Sequence, residues 1–215
     1  MFVKRKDDAI GLAMNHITDY SASTERHNIY YAYYDGAWKN IGGSAITIPI
    51  SKTSADSECL AYNTGDIDTD LRTVIHDDSN TPYIQYRNNE APLGNNILTR
   101  EVGAWVNKFQ DNYAAIINIH DSVLEMFKGY NNIGRYTSSD NGTTFDLDKY
   151  IISSTTYPLG TPPKIITNYN DDARLIFYGH ASGDGNFYIY LWGDRGLKTW
   201  YSKKIKNSTL NNVDI

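Results

Sequence analysis

The sequence predicts an all-β fold, on three observations. Short runs rich in β-branched and aromatic residues recur along the 215 residues. Clusters of Asp, Asn, Ser and Gly separate those runs, as turns require. No segment sustains the 3.6-residue apolar period of a long helix. Eighteen Tyr and four Trp sharpen the expectation, because such rings favour strands and also stack on sugars and bases.

In chain order, the expected strands begin with AIGLAMNHIT, HNIYYAYYD, LRTVIHDD, TPYIQYRNN and NNILTREVG. They continue with YAAIINIHD, SVLEMFKGY, NIGRYTSSD, PKIITNYND, ARLIFYGH and NFYIYLWGD. DDSN, NNEAPLGNN, NDD and SGDGN supply turns between them. The strands also repeat. LRTVIHDDSNTPYIQYRNN leads into NNILTREVGAWVNKF, YAAIINIHDSVLEMFKGY into NIGRYTSSDNGTTFDLDKYII, and PKIITNYNDDARLIFYGH into NFYIYLWGDRGLKTWYSKK. Each unit reads as strand, acidic turn, strand, loop, strand, turn and aromatic strand. Four-stranded units spaced about 40 to 50 residues apart are the sequence sign of a β-propeller with antiparallel blades. A single propeller domain or propeller fragment is expected, with blades near 1–55, 66–110, 111–155 and 160–205. The first unit lacks an opening strand, which TLNNVDI at the C-terminus or sequence upstream would supply.

Bulk properties exclude several functions. A net charge of −5 opposes nucleic-acid binding by phosphate neutralisation. No run approaches the roughly 18 to 20 apolar residues of a membrane helix. Asp7 and Asp8 interrupt what would otherwise be a signal core. Cys59 stands alone, so neither an internal disulfide nor a cysteine metal cluster is expected.

YTSSDNGTTFD looks at first like a small active site, with acids, hydroxyls and a glycine together. Ser138, Asp140, Gly142, Thr144 and Phe145 instead match S-x-D-x-G-x-T-[W/F], the Asp box. An Asp carboxylate there accepts from the N–H groups of its own turn, while glycine supplies unusual dihedrals. An EF-hand calcium loop would need further ligands and a distal Glu. The stretch reads as a fold device. WGDRGLKTW is a looser copy, and YYDGAWKN and REVGAWVN keep only glycine and tryptophan.

With these residues the chain resembles the Asp-box (BNR) repeat proteins of the sialidase-like superfamily. Within them it looks most like the ulvan-lyase-like, polysaccharide-degrading branch. RHNIYYAYYDGAWKNIGGSAITIPI, Arg26 to Ile50, carries that likeness together with DDSNTPYIQYRNN, ARLIFYGH and FYIYLWGD. It runs from about residue 20 to residue 200. Related propellers are longer and seven-bladed, so these units imply part of a larger ring or a compact four-bladed one. The resemblance implies an acidic polysaccharide as partner, and cleavage by β-elimination. A His or Tyr would remove the proton beside a uronic carboxylate, and a cation would offset the enolate charge. It brings forward His27 and Tyr86 as catalytic candidates, joined by Arg100 on the next expected strand, and Arg87 with Arg26 as substrate-binding ones, joined by Arg72 at the start of its strand. Tyr86 and Arg87 match the family's Tyr-Trp-Arg position with the Trp missing.

A noncatalytic glycan- or receptor-binding propeller, such as a phage-fibre part or surface adhesin, fits the same composition. A sialidase-like glycoside hydrolase ranks lower, because its arginine triad and Tyr–Glu pair cannot be placed. The expected location is extracellular, periplasmic or virion-associated.

The remaining candidates read as structural. His76 and His120 precede equivalent acidic turns and are expected to satisfy them. His16 and His180 sit near strand ends, without zinc-ligand spacing. Asp66, Asp68 and Asp70 alternate and could hold calcium; a solvated acidic loop is the commoner outcome, and no other cofactor is expected.

Overall fold

The computed structural model describes residues 1–17, 25–90, 93–110, 115–129, 132–153, 164–165, 175–180 and 187–192. The described chain is all-β, built from antiparallel sheets. The first sheet runs β1 (Phe2–Lys4), β2 (Ile10–Ile17), β3 (Arg26–Tyr34) and β4 (Trp38–Asn40), with β5 (Leu60–Tyr62) also pairing β3. The second is a meander of β6 (Thr69–His76), β7 (Pro82–Asn88), β8 (Gly94–Glu101) and β9 (Ala104–Gln110). The third follows the same order with β10 (Ala115–His120), β11 (Val123–Lys128), β12 (Asn132–Ser138) and β13 (Asp146–Ser153). A fourth sheet has three strands, β14 (Lys164–Ile165), β15 (Leu175–His180) and β16 (Phe187–Trp192).

Contacts divide the chain into two compact units. The first two sheets belong to one unit, and everything that bears on the candidate site lies there.

Phe2–Lys4 opens the first sheet by pairing Phe2 with Leu12 and Lys4 with Ile10. This corrects the expectation that the first unit lacks its own opening strand; TLNNVDI lies outside the described residues. A single helical turn, Lys52–Ser54, runs into a π-helical turn, Ala55–Cys59. Ser51 caps it, accepting from the Ser54 N–H at 3.1 Å. WGDRGLKTW also lies outside the described residues beyond Trp192.

Burial on both faces of β3 explains why IYYA reads as a continuous apolar run. Ile29 and Tyr31 pack toward the second sheet with Ala13, Val74, Ile84, Tyr86 and Leu98. Tyr30 and Ala32 pack the opposite way with Ile46, Ala55 and Cys59. Truncating a fully buried Ile such as Ile29 to Ala would cost about 2–5 kcal/mol. Gly11 is required by close approach, since a Cβ there would lie 2.5 Å from His76 Cε1.

The glycine–tryptophan turns are hairpins. Val102 and Gly103 both have positive φ (48° and 79°) between β8 and β9, the signature of a two-residue primed turn. Trp105 then meets the Tyr31 ring edge-on at 5.8 Å. At the other such turn, Trp38 packs beside Tyr34 at 5.5 Å.

Candidate functional site

The candidate site is built on one residue out of register. Along β3, Asn15 faces Ile29 but its neighbour His16 faces His27, leaving Asn28 unpaired as a β-bulge. Asn28 has φ 57°, a conformation Asn tolerates better than most residues. Its backbone N–H donates to Thr64 Oγ1 at 2.9 Å, and its Oδ1 accepts from the Thr64 N–H at 3.2 Å. Its Nδ2 donates to the Tyr30 phenol at 3.2 Å. The phenol donates in turn to Asp56 at 2.7 Å, and Lys52 pairs with the other Asp56 oxygen. Burial pushes the Tyr30 phenol up, and Asp56 adds to the effect. Lys52, then Tyr30, hold the Asp56 carboxyl below its ordinary value.

The extra residue inverts the side chains before it. Cross-strand partners share a face, so His27 lies on the face of its partner His16. That is also the face of Tyr30 and Asp56. Arg26 turns the other way, toward the second sheet, where it pairs with Asp70. The Arg26 N–H donates to Asp68 Oδ1 at 2.9 Å, and the Asn89 side chain donates to Asp68 Oδ2 at 2.7 Å. Thr69 Oγ1 donates to the Arg26 carbonyl at 3.1 Å, and Asn15 Nδ2 to the Thr69 carbonyl at 2.9 Å. Two sheets are thereby bolted together at the end where β3 and β6 begin.

Five of the six candidate residues reach this end. His27 is half-buried, and its buried Nδ1 has no hydrogen-bond partner among the described residues. Arg72 sits at a register shift of β6, exposed, 3.5 Å from the free side of Asp70. Arg87 is exposed and faces Asp70 across the ladder. Tyr86 is only 1% exposed, packed in the core with its ring centroid 6.1 Å from that of Tyr62. Burial raises its phenol strongly, so it stays protonated. Arg100 lies at the opposite end, stacked over Trp105 at 5.7 Å. It stands four residues along β8 from Asn96, the partner of Tyr86, roughly 13 Å at strand rise. Tyr86 and Arg100 therefore share a sheet face without meeting.

Two of the three aspartates of the alternating stretch are occupied by the fold. Asp68 and Asp70 bind Arg26, Asn89 and Arg72. Among the described residues no three His, Cys, Asp or Glu side chains converge on a metal position.

The turn histidines divide. Asp77 satisfies its own turn, accepting from the Ser79 and Thr81 N–H groups at 2.9 and 2.7 Å. His76 instead crosses to the first sheet, with Nε2 2.7 Å from the Tyr31 hydroxyl. Burial lowers His76 to about 4 and raises Tyr31 to about 12. His120 lies 3.4 Å from Asp121, beside its own turn.

Ser138–Phe145 forms the turn from β12 to β13. Asp140 accepts from the Thr144 N–H, the Thr144 hydroxyl and the Ser138 hydroxyl at 2.8, 2.7 and 2.9 Å. These bonds, that of the Thr144 N–H first, hold its carboxyl at about 2. Lys108 of β9 donates to the turn's carbonyls at Asp140 and Asn141.

Sequence reading missed Asn28, Tyr30, Asp56 and Thr64. Only Asn28 left a signal: an asparagine inside a strand, where that residue is depleted.

No family model matches the chain. The chain is similar to an ulvan lyase of Alteromonas sp. (strain LOR), with 23% identity over 198 residues. That match covers 81% of this chain and 40% of the lyase. It is also similar to solved structures of a PL25 polysaccharide lyase, an ulvan lyase, both alone and bound to -[GlcA(1-4)Rha3S]-. The TM-score is 0.73 at 20% identity, covering 89% of this chain and 50% of that one. A Dyadobacter fermentans protein of unknown function matches at TM-score 0.50 and 10% identity, covering 95% of this chain and 63% of that one. The chain thus spans half or less of the ulvan lyases it matches, and shares their fold.

Proposed function

We propose that this chain acts on an acidic polysaccharide as a lyase, through the end of the first two sheets that carries His27. One observation carries the reading: a half-buried histidine has a ring nitrogen without a hydrogen-bond partner among the described residues, at the strand end where Arg26, on the opposite face, ties the first sheet to Asp70 of the second. Likeness to ulvan lyases supports the substrate class. In this reading the sheets are propeller blades and the Asp-box turn is one of their corners.

The chemistry is an elimination. His27 takes the proton from the uronate carbon beside the carboxylate, and the electron pair of that C–H bond moves into the enolate. Exposed Arg72 and Arg87 bind anionic groups of the polysaccharide chain where it passes the second sheet at the same end. The enolate collapses to a C4–C5 double bond while the C4–O4 bond breaks. The imidazolium of His27 returns its proton to the departing oxygen. Arg26, tied to Asp70, fixes the frame. Tyr86 stays protonated and is buried in the core, so His27 alone carries the proton; Arg100 takes no part.

The test follows the ultraviolet absorbance of the unsaturated product when the chain meets a glucuronate–sulfated rhamnose polysaccharide. His27→Ala is expected to lower kcat by at least roughly a hundredfold with the thermal midpoint little changed. Tyr86→Phe separates a proton donor, where kcat falls, from a packing residue, where turnover holds. Retained glycan binding without product would leave a binding module and end the lyase reading.

A further inference from the structure

We infer that Asn28 is a positioning residue: its bulge, and not the strand sequence alone, sets the face on which His27 works. The inference rests on the reading of His27 as the acid/base. In an unbroken strand, side chains alternate, so His27 would share the face of Ile29 and Tyr31 and point between the two sheets. Arg26 would then point away from Asp70 and lose its ion pair. The single added residue reverses both. It puts His27 beside His16 on the Tyr30–Asp56 face, and Arg26 on the side of Asp68 and Asp70.

Asn28 is held there from both sides. Thr64 receives its N–H and donates back to its Oδ1, while its Nδ2 reaches the Tyr30 phenol. Thr64 is buried and Tyr30 is 2% exposed, so these partners are fixed before any substrate arrives. Asn combines a tolerance for left-handed backbone with a side chain able to accept and donate at once. Glycine would keep the first property alone; valine and alanine resist the backbone conformation.

Four chains decide it: the native chain, Asn28→Gly, Asn28→Ala and Asn28→Val. The first readout needs no substrate. Cross-strand partners lie about 5 Å apart at Cβ, so the His16 and His27 rings should share a nuclear Overhauser contact. That contact is expected in the native chain and in Asn28→Gly, and lost in Asn28→Ala and Asn28→Val, with the β2–β3 amide pattern otherwise kept. The second readout is elimination. Asn28→Val is expected to lower kcat roughly a hundredfold with KM nearly unchanged, and Asn28→Gly to recover most of it.

Ring contact and turnover at native level in both Asn28→Ala and Asn28→Val would overturn the inference. So would an Asn28→Gly chain that loses as much as Asn28→Val. If the native chain yields no unsaturated product yet the ring contact follows the bulge, the positioning stands and only the lyase reading falls.

Discussion

Asn28 and Asn141 hold nearly the same left-handed backbone, φ 57° and 56°, and use it over different reach. Around Asn141, the turn's own side-chain bonds close between Ser138 and Thr144. Around Asn28, the partner Thr64 lies 36 residues away. The first device bends a chain through side-chain bonds of its own, with Lys108 of β9 adding only bonds to two backbone carbonyls. The second makes a strand's side chains change face, and depends on a distant loop to stay in place. A bulge that re-aims a side chain is a common neighbour of functional sites.

If long-range bonds carry the frame, breaking them should matter most. The largest effect is expected from acid at His76, whose partner Tyr31 lies 45 residues away. Burial lowers folded His76 to about 4 from an ordinary 6.5, with nearby Arg5 acting in the same direction and Asp7 opposing it. Above 6.5 the histidine is neutral folded or unfolded, and contributes no pH dependence. As pH falls from 6.5 toward 4, the unfolded chain binds a proton the folded one refuses, so stability drops across that window. The gap is worth about 3 kcal/mol. Urea unfolding at pH 7 and pH 4.5 measures the loss, and His76→Gln should flatten that part of the curve.

Asp68→Ala comes next. Asp68 is 3% exposed and accepts from the Arg26 N–H and the Asn89 side chain. Losing those charge-assisted bonds and leaving their donors buried should cost roughly 2–3 kcal/mol. Because the same bonds hold Arg26 beside His27, elimination should fall further than stability explains. A chain destabilised with kcat intact would show that the bolt serves folding alone.

The contrast also says what a sequence can reveal. The turn at Asp140 is legible because its donors, acceptors and glycine occupy seven consecutive positions, so a pattern encodes the whole device. Strands such as β2, β3 and β7 are legible because each spans enough residues to show β-branched and aromatic enrichment. β1 and β5 are not: with three residues each, only their pairing defines them. His27 was visible as a histidine at a strand start, but its face was not, since the inversion needs Asn28 to be unpaired. Tyr86 and Arg100 share a face as the alternation predicts. Their separation depends on register with β8, and the burial of Tyr86 on Tyr62 from another sheet. His76 shows the same limit, because its turn is satisfied by Asp77 and its partner comes from β3.

The smallest effects belong to the local turn, where the comparison can fail most cleanly. Gly142 has φ 87° and donates to Ser138 Oγ at 2.8 Å. Gly142→Ala forces a side chain into left-handed backbone and should cost about 1 kcal/mol. Asp140, exposed and held at about 2, stabilises the turn above the ordinary 3.8 and loses that contribution as pH falls through about 2. Asp140→Asn should remove this acid dependence and lower neutral-pH stability modestly, by the contribution the carboxylate makes there. Neither change should alter elimination, because these turn bonds close within the turn or on Lys108 of β9, and none of them reaches the His27 end. Measured kcat for Gly142→Ala settles the point. A fall comparable to that of Asn28→Val would mean that the two asparagines differ in distance only, with turn and bulge both governing the site.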